Sequence, residues 1–250
     1  MTALINLTRH EDAALRLFCF PPAGAGPSFY LPWASLLPPA IDLFTFHLPG
    51  HGNHPSHVSG TDPRRLVREI TPLIPAGDPG GLGLFGHSIG ALLAFETARQ
   101  LRRNQSRTPD LLAVSGLPAP HTQTLQANIV SGVLTGLAGR DDLTSLLPDD
   151  PGITTREKVL HYAPVVADAL LILHYRYRDE APLDTSLALY SGRSDPFVPG
   201  EALAAWNDLV TLPATSRLYP GDHVYLHTQA PAVLERLVKD FRAATRTRAA

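Results

Sequence analysis

One cysteine and one methionine are all the sulfur that the 250 residues contain. A single thiol, Cys19, cannot close an internal disulfide, which excludes a disulfide-stapled scaffold and fits a reducing compartment. Cys19 lies inside the apolar run Leu15-Arg16-Leu17-Phe18-Cys19-Phe20, where a packing residue belongs. Charge of one sign is also missing. The 21 basic and 23 acidic side chains leave a net −2, which gives no bulk attraction to nucleic acid or to a membrane surface. No stretch reaches the ~20 apolar residues that a membrane-spanning helix needs. Arg9, His10, Glu11 and Asp12 follow no long apolar run, unlike a secretory leader. A cytoplasmic protein with neither nucleic acid nor membrane among its partners is therefore expected. Internal repeats and linkers are absent too, and a hydrophobic share of 44% supports one large core, so residues 1–250 are read as a single domain.

What is present is organised around Gly81-Leu82-Gly83-Leu84-Phe85-Gly86-His87-Ser88-Ile89-Gly90-Ala91-Leu92-Leu93-Ala94-Phe95-Glu96. A short apolar strand, a G-x-S-x-G turn and a run of helix formers follow one another. That order is the context of a nucleophile elbow, with Ser88 on the tight turn and the following helix aiming free N–H groups at it. Before it, Leu15–Phe20 and Ile41–His47 read as strands and Trp33 to Leu37 as a short helix. Asp62 to Ile74 reads as a helix capped by Asp62, with Pro63 at its first position. After it come a strand over Leu111–Ser115 and then, from 122 to 179, a stretch without strands. Helical candidates at Gln126–Leu137 and Thr154–Arg178 make 122–179 a helical lid insertion. The pattern resumes with a strand over Ser186–Ser191, a helix over Glu201–Asp208, a strand over Ser216–Tyr219 and a closing helix over Thr228–Phe241. The tail 242–250 is expected to fray. Strands alternating with helices predict a mostly parallel central sheet flanked by helices, an α/β class.

A serine hydroxyl needs a base, and the base needs an acid to hold its tautomer. In the order Ser, Asp, His expected of an α/β-hydrolase fold, the partners lie in loops after later strands. His223 directly follows the last strand and is the candidate base; His227 abuts the closing helix and reads as an exposed helix-start residue. Asp195 is the only carboxylate in the loop after Ser186–Ser191 and is the candidate acid, although an Asx turn before Pro196 would also explain it. Asp222 adjoins the base and reads as surface. Asp168, Asp179 and Asp184 precede the strand and are weaker choices. An oxyanion hole needs two fixed N–H donors. Ile89 supplies one, and the small-residue loop Pro22-Ala23-Gly24 supplies the other, from Ala23 or, close behind it, Gly24.

Some residues invite other chemistry. His47, His51, His54 and His57 recur in one loop, but no cysteine joins them and no carboxylate comes before Asp62, so they read as solvated rather than metal ligands. His87 reads as packing or hydrogen-bonding locally. Gly24-x-Gly26 lacks the third glycine of a dinucleotide fingerprint, position 29 being Phe29. Arg99, Arg102, Arg103 and Arg107 could meet an acidic partner, but read first as a solvated helix face. No cofactor or metal is called for.

Taken together, Phe18-Cys19-Phe20-Pro21-Pro22-Ala23-Gly24-Ala25-Gly26, Leu48-Pro49-Gly50-His51-Gly52, Gly86-His87-Ser88-Ile89-Gly90-Ala91, Ser115-Gly116-x-x-Ala119-Pro120-His121, Ser191-Gly192-x-x-Asp195-Pro196 and Gly221-Asp222-His223 resemble a type II thioesterase. These are the stand-alone editing enzymes of polyketide and nonribosomal peptide synthesis. The resemblance runs from about Leu15 to Leu237, with His51 where the family often has Arg and Asp222 where it often has a second Gly. It implies hydrolysis of acyl thioesters on the phosphopantetheine arm of an acyl or peptidyl carrier protein. A monomer is expected, although nothing in the sequence fixes the oligomeric state. A small-molecule carboxylesterase of the same fold, or a non-catalytic acyl-binding module, would share much of the pattern.

Overall fold

The strands carry apolar residues on both faces, which only a sheet covered on both sides can bury. The computed structural model describes residues 2–52, 62–75, 80–105, 107–127 and 154–249. Its strands are β1 (Ala3–Asn6), β2 (Leu15–Phe20), β3 (Ile41–His47), β4 (Gly81–His87), β5 (Leu111–Ser115), β6 (Ser186–Gly192) and β7 (Thr215–Tyr219). They form one seven-stranded sheet in the order β1-β3-β2-β4-β5-β6-β7. β1 pairs antiparallel with β3, and every other pairing is parallel. The sequence reading missed β1, whose four half-buried residues form the sheet's edge.

The helices are α1 (Leu31–Ala34), α2 (Pro63–Ile70), α3 (Ile89–Gln105), α4 (Thr155–His174), α5 (Gly200–Ala204) and α6 (Leu226–Ala249). Alternate strand residues feed two separate cores. Phe18, Leu84, Val114 and Leu189 face the layer that contains α2, α3 and Trp206. Leu17, Phe85, Ala113 and Tyr190 face the layer that contains Trp33 and α6. Trp206 lies 5.2 Å from Phe95, ring to ring, and its Nε1–H donates to the Leu117 carbonyl. Trp33 packs edge-on against Tyr30 and Phe85. Asp62 caps α2 as expected, accepting the Arg64 N–H at 2.9 Å with Pro63 at the first position.

Two expectations need correction. The tail does not fray: α6 continues to Ala249, Ala244 is buried, and Arg248 donates to the Thr108 carbonyl and lies 3.6 Å from Asp110. Nor is Arg99 on a solvated face. It is 2% exposed, paired with Glu96 at 3.0 Å and with Glu180 at 2.7 Å, and it lies over Phe95 and Tyr177. A charge that deep persists only because its two terminal nitrogens meet the Glu96 and Glu180 carboxylates and the Arg178 carbonyl. Arg102 and Arg103 pair with Glu180 as well. Among the described residues no helix is long and apolar enough to cross a membrane.

The chain lays β2 and β3 to one side of β4 and then builds β5, β6 and β7 to the other. Adjacent strands whose crossovers run in opposite directions leave a crevice at their carboxyl ends, where open α/β sheets place ligands. That switch falls between β2 and β4, where Phe20, the last residue of β2, is the register partner of Gly86, one residue before the end of β4.

Candidate active site

Ser88 leaves the end of β4 with φ 54°, in the left-handed region that few non-glycine residues adopt. Two glycines permit that turn. A side chain on Gly86 would meet the backbone of Gly90, and one on Gly90 would meet the carbonyl of Phe20, so the turn packs directly against the end of β2. The Ser88 N–H donates to the Ser115 carbonyl at 2.8 Å, which pins the turn to β5. α3 begins at Ile89, so the Ile89 N–H is one of the donors that a helix start leaves without an internal partner. An unusual backbone conformation held this firmly is the pattern of a functional position.

The loops after β6 and β7 bring the other two candidates to Ser88. Ser194 N–H donates to the Gly221 carbonyl at 3.0 Å and Arg193 N–H to the Tyr219 carbonyl at 2.8 Å, which ties the two loops together. As a result His223 Nε2 stands 3.1 Å from Ser88 Oγ, and His223 Nδ1 stands 2.8 Å from Asp195 Oδ2. The Asp195 side chain is fully buried, whereas that of His223 keeps 23% exposure. The geometry is compatible with both readings of Asp195, since its other oxygen accepts the Phe197 N–H at 2.9 Å as in an Asx turn. Phe197 packs edge-on against the His223 ring. Asp222 is exposed and His227 is exposed at the start of α6, as read.

A cavity of about 380 Å³ opens over this line. Ala23 and Gly24 border it on one side, Val165 of α4 on another and Val224 with His227 on a third. Gly24 turns out to be unavailable as an oxyanion donor, because its N–H is given to Asp168 Oδ2 at 2.9 Å. The Ala23 N–H is left as the candidate in that loop. A hydroxyl, an imidazole and a buried carboxylate in one line can add a serine oxygen to a carbonyl, and the candidate N–H groups of Ile89 and Ala23 are those that would hold the resulting negative charge.

The sequence over residues 15–241 matches the family model described as thioesterase domain. The chain belongs to that family. It is 29% identical over 257 residues to the gramicidin S biosynthesis protein GrsT of Aneurinibacillus migulanus, covering 95% of this chain and 93% of that protein. Among solved structures, RedJ, a thioesterase from the prodiginine pathway of Streptomyces coelicolor, is 29% identical with a TM-score of 0.75, covering 92% of this chain and 87% of that one. The type II thioesterase BorB from the borrelidin biosynthetic cluster is 25% identical with the same TM-score of 0.75, covering 95% and 97%. The central sheet and its flanking helices are thus those of an α/β-hydrolase thioesterase.

Beside its candidate base the thioesterase buries a second histidine, which packs and hydrogen-bonds locally as the sequence suggested. His87 is buried, its Nδ1 2.8 Å from Ser115 Oγ, which in turn lies 2.6 Å from Tyr225 OH. Burial, reinforced by the neighbouring His223, pushes its pKa down to about 3, so His87 is neutral beside the site. In the unfolded chain a histidine titrates near ~6.5. Between about pH 6.5 and 3 the unfolded state binds a proton that the folded state refuses, so stability falls with falling pH, by up to about 1.4 kcal/mol per unit. Urea unfolding across this window should show that slope, and His87→Gln should flatten it. An unchanged slope in that variant would assign the acid sensitivity to other groups.

His51 corrects the expectation that the loop histidines are solvated. It is 3% exposed, and its Nε2 lies 2.8 Å from Asp168, itself buried. Burial alone would lower its pKa, but the hydrogen bond and charge of Asp168 raise it overall. Its linkage has the opposite sign to that of His87: the stability it adds is present below about pH 6.5 and is lost as pH rises through its folded value. His47 Nε2 approaches the His51 carbonyl at 2.9 Å, while His54 and His57 lie outside the described residues. A lone carboxylate within Val165-Val166-Ala167-Asp168-Ala169-Leu170-Leu171 was the available signal for Asp168; nothing local marked its partner.

Proposed function

We propose that this thioesterase hydrolyses acyl groups carried as thioesters on the phosphopantetheine arm of acyl or peptidyl carrier proteins, clearing aberrant or stalled chains in polyketide or nonribosomal peptide synthesis. Ser88 is the nucleophile, His223 the general base, Asp195 the residue that orients it, and the N–H groups of Ala23 and Ile89 the oxyanion donors. The observation that carries the reading is the hydrogen-bonded line from Ser88 to His223 to buried Asp195 at the floor of the cavity. The names of the similar proteins support the pathway.

In the proposed sequence Ser88 Oγ bonds to the thioester carbon as His223 Nε2 takes its proton. The carbonyl oxygen becomes an oxyanion facing the two N–H groups. The carbon–sulfur bond then breaks, and the pantetheine sulfur leaves with the proton from His223. Water, deprotonated by the same histidine, attacks the acyl-serine and releases the acid, restoring the Ser88 hydroxyl. No cofactor is required. The apolar cavity wall takes the acyl chain, and 122–179 is proposed as the lid, with α4 its described helix and Gln126–Leu137 lying almost wholly outside the described residues. We take the working form to be a cytoplasmic monomer.

The test is a panel of acyl groups, each offered as a carrier-protein thioester, a free small thioester and a p-nitrophenyl ester. The expected result is a kcat/KM about tenfold or more in favour of the carrier-bound thioesters, equivalent to about 1.4 kcal/mol of transition-state binding drawn from the carrier. Equal or higher rates on the oxygen esters would make the enzyme a carboxylesterase of the same fold.

A further inference from the structure

The proposed reaction leaves unused a buried pair beside the site. Both ring nitrogens of His51 face acceptors, Nε2 the Asp168 carboxylate at 2.8 Å and Nδ1 the Pro49 carbonyl at 3.1 Å. A neutral imidazole has only one N–H, so the ring can satisfy both partners only as an imidazolium. The same carboxylate oxygen that meets His51 also accepts the Gly24 N–H at 2.9 Å. Gly24 has φ 72°, and the space where a side chain would begin is filled by Val165 Cγ2. Val165 and Asp168 are three apart on α4 and therefore share a face. That one face seats the helix on the Ala23–Gly24 loop through an apolar contact and an ionic one.

We propose that His51 and Asp168 are positioning residues: the imidazolium fixes the carboxylate, and the carboxylate fixes the Gly24 peptide so that the adjoining Ala23 N–H faces the oxyanion. The oxyanion hole is then complete only while α4 is seated on its loop. This rests on the assignment of Ser88 and Ala23 made above. An ångström of misplacement at such a site costs about a hundredfold in rate, so the effect should be large for residues that touch no substrate.

The experiment is the rate of phosphonylation of Ser88 by a fluorophosphonate, read by mass spectrometry per folded enzyme. Its phosphoryl oxygen occupies the oxyanion position, and the reaction needs neither carrier nor acyl chain. Asp168→Ala should label about tenfold or more slowly than the native protein and should lose kcat on a thioester with KM little changed. Asp168→Asn keeps an acceptor for the Gly24 N–H and should recover part of the rate, which a merely structural role would not produce. Should Asp168→Ala not fold, His51→Gln carries the comparison, again with slower labelling expected. Wild-type labelling rates in the folded variants, or no recovery in Asp168→Asn, would overturn the proposal. Failure of the native protein itself to label would remove Ser88 as nucleophile, and this inference with it.

Discussion

Replacing Ser88 with alanine should lower turnover of any thioester substrate by about four orders of magnitude or more, while circular dichroism and thermal unfolding stay close to those of the native protein. The loss is large because no neighbouring group can replace the hydroxyl. Among the described contacts, His223 Nε2 has Ser88 Oγ as its hydrogen-bonding partner at 3.1 Å; of the rings beside it, Phe197 is no nucleophile and His87 is buried with its Nδ1 held by Ser115 Oγ. Residual activity would come from the cavity and the oxyanion donors acting on water. The fold should survive because the turn is held by Gly86, Gly90 and the Ser88 N–H bond to Ser115, none of which uses the hydroxyl. Turnover near the native value would end the assignment of Ser88 as nucleophile.

The second large effect is expected at Asp195→Asn, about 10⁴-fold in kcat near neutral pH, for a reason the geometry supplies. One oxygen of Asp195 is fixed by the Phe197 N–H at 2.9 Å, and the other meets His223 Nδ1 at 2.8 Å. An asparagine that keeps the first bond must place its oxygen toward Phe197 and its NH₂ toward His223. Nδ1 then has to accept, the ring proton moves to Nε2, and the nitrogen facing Ser88 can no longer take a proton. Double substitution with Ser88→Ala should add almost nothing, since the residues act as one unit. A fall of less than about tenfold would reduce Asp195 to a turn former.

How much of this was legible in the sequence depends on distance along the chain. The elbow could be read because strand, turn and helix lie within one short segment. Asp195 and His223 could be read because the loops after parallel strands open on one sheet edge, so chain order stands in for space. β1 was missed because Ala3–Asn6 offers no alternating pattern and is held only by pairing with β3. The last turns of α6 looked too polar to persist, yet Arg248 finds its partners on the segment before β5. Arg99 looked exposed because its ligands, apart from Glu96, arrive from Arg178 and Glu180, well beyond the next strand. His51 and Asp168 are 117 residues apart, and neither announces the other.

The two tryptophans sit on opposite sides of the sheet, Trp33 against Tyr30 and Phe85, Trp206 against Phe95. Each is essentially shielded from water, so each is a fluorescent reporter of its own layer. Replacing one at a time with phenylalanine leaves a single emitter. A red shift during denaturation would then reveal whether the layer around α3 and the layer around α6 come apart together or in sequence.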